Sequence, residues 1–135
     1  MVRIQVDYAG ELHTECIHEP SGARLETDAP RDNEGRGERF SPTDLVATAL
    51  ASCILTTMGI VARRHNWPLE GSSAAVEKHM ATDPVRRIGR LAVRFDMSAG
   101  VPEDARVVLE RAAHTCPVHK SLHPDVELDL AFDWN

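Results

Sequence analysis

The sequence predicts an α+β fold, a mainly antiparallel sheet around one long buried central helix. Three observations predict it. Apolar and polar residues alternate in several short stretches, the period of two that half-buried strands require. An uncharged segment, Leu45 to Ala62, follows a strong helix-start signal. The order is three strands, long helix, hairpin, helix and strand, which segregates runs of strands from helices.

Val2, Ile4, Val6 and Tyr8 alternate with Arg3, Gln5 and Asp7, giving a first half-buried strand. Ala9-Gly10 reads as a turn. A second strand covers Leu12 to Ile17, and a third covers Arg24 to Thr27 after the Pro20-Ser21-Gly22 break. Asp28 to Phe40 is a charged loop carrying Pro30, Gly35 and Gly37. It is too polar to pack and belongs at the surface or over a site.

Ser41-Pro42-Thr43-Asp44 opens the long helix. Ser41 supplies the cap, Pro42 suits the first helical position, and Asp44 completes a capping box. The helix runs to about Arg64 or His65. Being apolar on nearly every face, it should be the central element, and Ala47, Ala49, Ala51 and Gly59 would let another helix approach closely. Its uncharged stretch approaches the length of a membrane span. Thr48, Ser52, Thr56, Thr57, the many alanines and the charged flanks favour a core helix instead.

Ser73 to Ala81 and Arg87 to Ser98 form a hairpin across Thr82-Asp83-Pro84. Pro102 opens a second helix, with Ala105, Val108, Leu109 and Ala112 at helical spacing. Pro117, directly after Cys116, discourages further helix. Val126, Leu128, Leu130, Phe132 and Trp134 alternate with acidic residues as the last strand.

The 135 residues are the size of one domain, spanning 1–135. With 4% aromatic residues, the core must be mostly aliphatic and alanine. A net charge of −6 argues against a general nucleic-acid binder, which needs a basic face for phosphates. No basic, Ser-rich or cleavable apolar N-terminus is read, so no targeting segment is expected. Three cysteines are an odd number in a chain that needs no disulfide staples. They suggest a reducing, cytoplasmic compartment with thiols available for chemistry.

Cys53 sits mid-helix, where a cysteine is usually a small buried hydrophobe. Cys116 lies at a helix end beside His114 and His119, a more reachable position. Cys16 falls in a strand and reads as structural. Two cysteines can work as a redox pair. A thiolate attacks the O–O bond of a peroxide and becomes a sulfenic acid, and a second thiol condenses with it to a disulfide. Such a pair needs a positive neighbour for the first thiol and Cα atoms within about 7 Å.

The run Phe40-Ser-Pro-Thr-Asp-Leu-Val-Ala-Thr-Ala-Leu-Ala-Ser-Cys53 resembles the helix motif of the OsmC/Ohr family, and Cys116-Pro-Val-His-Lys-Ser-Leu122 resembles its second motif. The element order matches as well. The resemblance implies an intertwined homodimer with two sites at the subunit interface, reducing organic hydroperoxides or hydrogen peroxide. It places Cys53 at the peroxidatic position and Cys116 at the resolving one. It implies no metal or organic cofactor, an external dithiol reductant, and no membrane or nucleic-acid partner.

The chain departs from that pattern at the helper residues. Thr43 stands where typical members have glutamate, and the carboxylate comes one residue later as Asp44. Nine residues along a helix put Asp44 and Cys53 on opposite sides. Asp44 is therefore either a helix cap or a group serving the partner's site. The family arginine is matched by position to Arg31, with Arg36 and Arg39 as alternatives. His119 replaces a usual serine and either tunes Cys116, binds its proton or sits at the surface.

Two other readings compete. His114, Cys116, His119 and His123 are residue types that zinc prefers, without a standard zinc spacing. A non-enzymatic binder of a small apolar ligand is the second. There is no Gly-x-Ser-x-Gly and no Gly-rich phosphate loop.

Overall fold

The computed structural model describes residues 1–135. Six strands and three helices follow one another: β1 (Ile4–Gly10), β2 (His13–His18), β3 (Ala23–Asp28), α1 (Pro42–Arg64), β4 (Ser73–Ala81), β5 (Arg87–Met97), α2 (Glu103–Ala113), α3 (Pro117–Ser121) and β6 (Glu127–Trp134). They build an α+β fold with two three-stranded sheets, ordered β1-β2-β3 and β4-β5-β6. The chain divides into two compact units, Met1–Val46 and Ala47–Asn135, and the division falls within α1.

In the first unit an antiparallel meander pairs Val6 with Cys16 and Cys16 with Leu25. Side chains alternate across a strand. One face therefore carries Ile4, Val6, Tyr8, Cys16 and Leu25, and the other carries Asp7, His13, Glu15, Glu26 and Asp28. The apolar row was expected to be half-buried, yet Ile4, Val6, Tyr8 and Leu25 are all exposed in the single chain. A period of two reports that one face is apolar; it does not report what covers it.

The segment after β3 is more ordered than a polar loop suggests. It contains a 3-10 turn at Arg31–Asn33. Backbone bonds tie Asp28 N–H to the Phe40 carbonyl and Ala29 N–H to the Leu12 carbonyl. Gly35 lies so close to Ala29 that any Cβ there would collide with its backbone carbonyl.

At the start of α1 the capping box forms as expected. Asp44 N–H donates to Ser41 Oγ at 3.1 Å, and Ser41 N–H donates to Asp44 Oδ2 at 2.9 Å. The helix is not buried all round. Ala47, Leu50, Ala51, Ile54, Met58 and Ala62 are buried, whereas Thr48, Ala49, Ser52, Thr56 and Ile60 are exposed. It is long and apolar enough to cross a membrane by length and composition, but a core helix passes the same test.

In the second unit those buried residues from Ala47 onward form one core with Leu91, Val93, Phe95 and Met97 of β5, and with Ala105, Leu109 and Ala113 of α2. Phe95 and Phe132 stack at 4.7 Å between ring centroids. β4 and β5 pair antiparallel, but β6 runs parallel to β5, with Val93 opposite Leu130 and Phe95 opposite Phe132. Parallel neighbours need a crossover of a dozen residues or more, and the segment containing α2 and α3 supplies it. The proline after Cys116 does not end helical structure. Pro117 takes the first position of α3, where its missing N–H costs nothing.

Candidate functional site

Cys53 faces the side of α1 that is only partly covered, and its side chain is half-buried. Cys116 is fully buried and caps α3. Its sulfur accepts the backbone N–H of His119 at 3.2 Å. The proline at the start of α3 turns the chain so that this amide points back at the sulfur. The Cys53 side chain packs against the core that holds Cys116, so the two thiols are neighbours.

The electrostatics of the pair are unequal. Burial pushes the Cys116 thiol above the ordinary cysteine range, and the contact with Cys53, whose negative charge repels a second one, pushes it further. The N–H groups of His119 and Val118 act in the opposite direction. Burial wins, so Cys116 is held as a thiol beside Cys53. Of the two sulfurs, Cys53 is the less buried.

The His119 ring is a further feature. Its Nδ1 is buried without a hydrogen-bond partner. Burial first, then the positive charges of His114 and Lys120, hold the imidazole below its ordinary range and favour the neutral ring. The rings of His114 and His119 lie 5.8 Å apart, tilted. The side-chain types suggested a zinc-like cluster here. The His/Cys/Asp/Glu group whose ligand atoms converge lies instead in the first unit, at His13, Glu15 and Glu26.

The remaining residues singled out from sequence belong to the first unit. Arg31 is exposed, and its Nε donates to the Arg36 carbonyl at 3.1 Å. Arg36 pairs with Glu11 and Arg39 with Glu26. Of the three arginines, Arg31 thus rests on a backbone carbonyl rather than a carboxylate. Asp44 serves the capping box. Sequence reasoning missed the His119 amide, because a backbone donor carries no residue-type signal.

Within the second unit a groove of about 560 Å³ opens where α1 ends. Leu55, Gly59, Ala62, Arg63, Trp67 and Leu69 are among the residues that line it.

Comparison with known proteins assigns this architecture. The family model described as OsmC-like protein matches residues 35–131. No curated protein matches the sequence significantly. Among solved structures, an osmotic stress induced and detoxification response protein from Psychrobacter arcticus 273-4 is 42% identical, with a TM-score of 0.92 over 98% of this chain and 96% of that one. An organic hydroperoxide resistance protein OsmC from Legionella pneumophila is 20% identical, with a TM-score of 0.78 over 98% and 96%. An organic hydroperoxide resistance protein from Elizabethkingia anophelis is 13% identical, with a TM-score of 0.79 over 100% and 96%. The last two share the fold.

Proposed function

Because the chain belongs to the OsmC-like protein family, we propose that it is a thiol-dependent reductase of organic hydroperoxides or hydrogen peroxide, working through Cys53 and Cys116. The proximity of the two thiols at one core is the observation that carries this reading. The Cys53 thiolate attacks one peroxide oxygen. The O–O bond breaks, sulfur gains the hydroxyl as a sulfenic acid, and the other oxygen leaves, taking a proton to become an alcohol or water. Cys116 loses its proton and attacks the Cys53 sulfur. Water departs and a disulfide forms. An external dithiol then reduces that disulfide by thiol exchange, becoming oxidised itself.

Arg31 is the proposed stabiliser of the Cys53 thiolate, and Asp44 the proposed carboxylate helper in place of the glutamate absent at Thr43. The enzyme acts in the cytoplasm as a homodimer with sites at the subunit interface. The exposed face of α1, with Thr48, Ala49, Ser52, Thr56 and Ile60, supports a partner there. The chemistry needs only sulfur, so no metal or organic cofactor takes part.

Turnover of tert-butyl hydroperoxide with dithiothreitol tests the reading. Wild type should turn over well above a free-thiol control, Cys53→Ser should abolish this, and Cys116→Ser should accumulate sulfinic or sulfonic acid on Cys53. No turnover in wild type would sink it. A second reading, non-enzymatic binding of a small apolar ligand, draws on the groove at the end of α1. It would then be favoured.

A further inference from the structure

The polar face of the N-terminal sheet gathers side chains that peroxide chemistry does not use. His13 and Glu15 are two residues apart on β2, and β3 sets Asp28 opposite His13 and Glu26 opposite Glu15. All four share a face. His13 Nδ1 lies 2.6 Å from Asp28 Oδ1, and its Nε2 lies 3.2 Å from Glu26 Oε1. One ligand atom from each of His13, Glu15 and Glu26 lies within 4.8 Å of the others, a spread that modest rotation closes around one ion.

We propose that His13, Glu15 and Glu26 form a binding site for a divalent first-row metal ion, with Asp28 as the positioning residue that aims the imidazole.

Three features beyond proximity support it. First, Asp28 is buried, and its contact with His13 is the carboxylate–histidine arrangement that fixes a metal-binding tautomer. With Nδ1–H donated to Asp28, the ion would take the place of the proton that Nε2 shares with Glu26 Oε1. Second, strand pairing sets Asp7, Glu15 and Glu26 directly opposite one another across three strands. Like charges in that relation repel, and a cation held among them would relieve the repulsion. Third, Arg39 binds Glu26 through Oε2, which leaves Oε1 turned toward His13. A groove of about 230 Å³ beside His13, lined also by Asp28, Arg36 and Glu38, has room for the waters that would complete the coordination.

One imidazole with two carboxylates suits zinc, cobalt or manganese. Manganese is the discriminating probe, because the thiols of Cys53 and Cys116 would compete for zinc. Calorimetric titration of the full chain with Mn²⁺ should show one saturable site per chain. His13→Gln and Glu15→Gln should each weaken it by at least about tenfold, and Asp28→Asn by about tenfold. Cys53→Ser with Cys116→Ser should bind as wild type does. Glu15 is exposed, so Glu15→Gln keeps the fold, and unchanged circular dichroism would confirm that. Absence of saturable binding in wild type, equal affinity in Glu15→Gln, or loss of binding in the double cysteine variant would each overturn the site. Because the readout is binding, failure of the peroxidase reading leaves it untouched.

Discussion

At the scale of single residues, two sulfurs sit in unequal surroundings. Cys116 is sealed in the core and held protonated, and Cys53 is half-buried. Their alkylation rates should follow. With iodoacetamide and peptide-resolved mass spectrometry, Cys116 should react about tenfold or more slowly than Cys53 in the native protein, and the difference should vanish in denaturant. Equal native rates would contradict the burial of Cys116. The sequence made both cysteines visible as candidates, because their motifs are local. It could not show them as neighbours, since that depends on how α1 and the α2–α3 crossover pack in one core. Nor could it show the His13 cluster. The clue was available as His-x-Glu on one strand and Glu-x-Asp on the next, but it means nothing until the register sets His13 opposite Asp28.

At the scale of elements, local signals were legible and pairings were not. The capping box at Ser41 and Asp44 and the extent of α1 followed from residue types within a few positions of each other. The parallel pairing of β6 with β5 did not, because alternation is the same in parallel and antiparallel strands. Asp129 on β6 marks that pairing. It bonds Arg94 at 3.0 Å and Arg90 at 2.6 Å, both on β5. The Arg94 hydrogen bond, more than Arg90, holds its carboxyl below the ordinary carboxylate range. A carboxyl depressed in the folded state contributes stability above its unfolded value of 3.8, and loses it as pH falls through the lower folded value. Asp129→Asn should therefore lower the urea midpoint at about pH 7, and the gap from wild type should close by about pH 2. A gap of constant size across that range would show that the loss comes from packing and not from the ion pairs.

At the scale of the whole molecule, the unanswered question in the single chain is the apolar face of the first sheet. Ile4, Val6, Tyr8 and Leu25 stand exposed together on one side, and the other side is ionic. A small sheet without a covered apolar face is marginal in water. Contiguous apolar surface of this kind marks a place where another chain packs. In the proposed homodimer the apolar face would meet a second copy and the ionic face would stay toward solvent. Sedimentation should give twice the 14.9 kDa chain mass at micromolar concentration. Replacing Val6 and Leu25 together by lysine puts charges onto that face without altering Cys53 or Cys116, and it should shift the protein toward monomer. If the sites are completed at the subunit interface, peroxide turnover should fall in step with the dimer fraction, and raising the protein concentration should restore both. A wild-type monomer, or a dimer indifferent to both lysines, would place the partner surface elsewhere. Turnover that persists in the monomer would show that one chain holds everything the reaction needs.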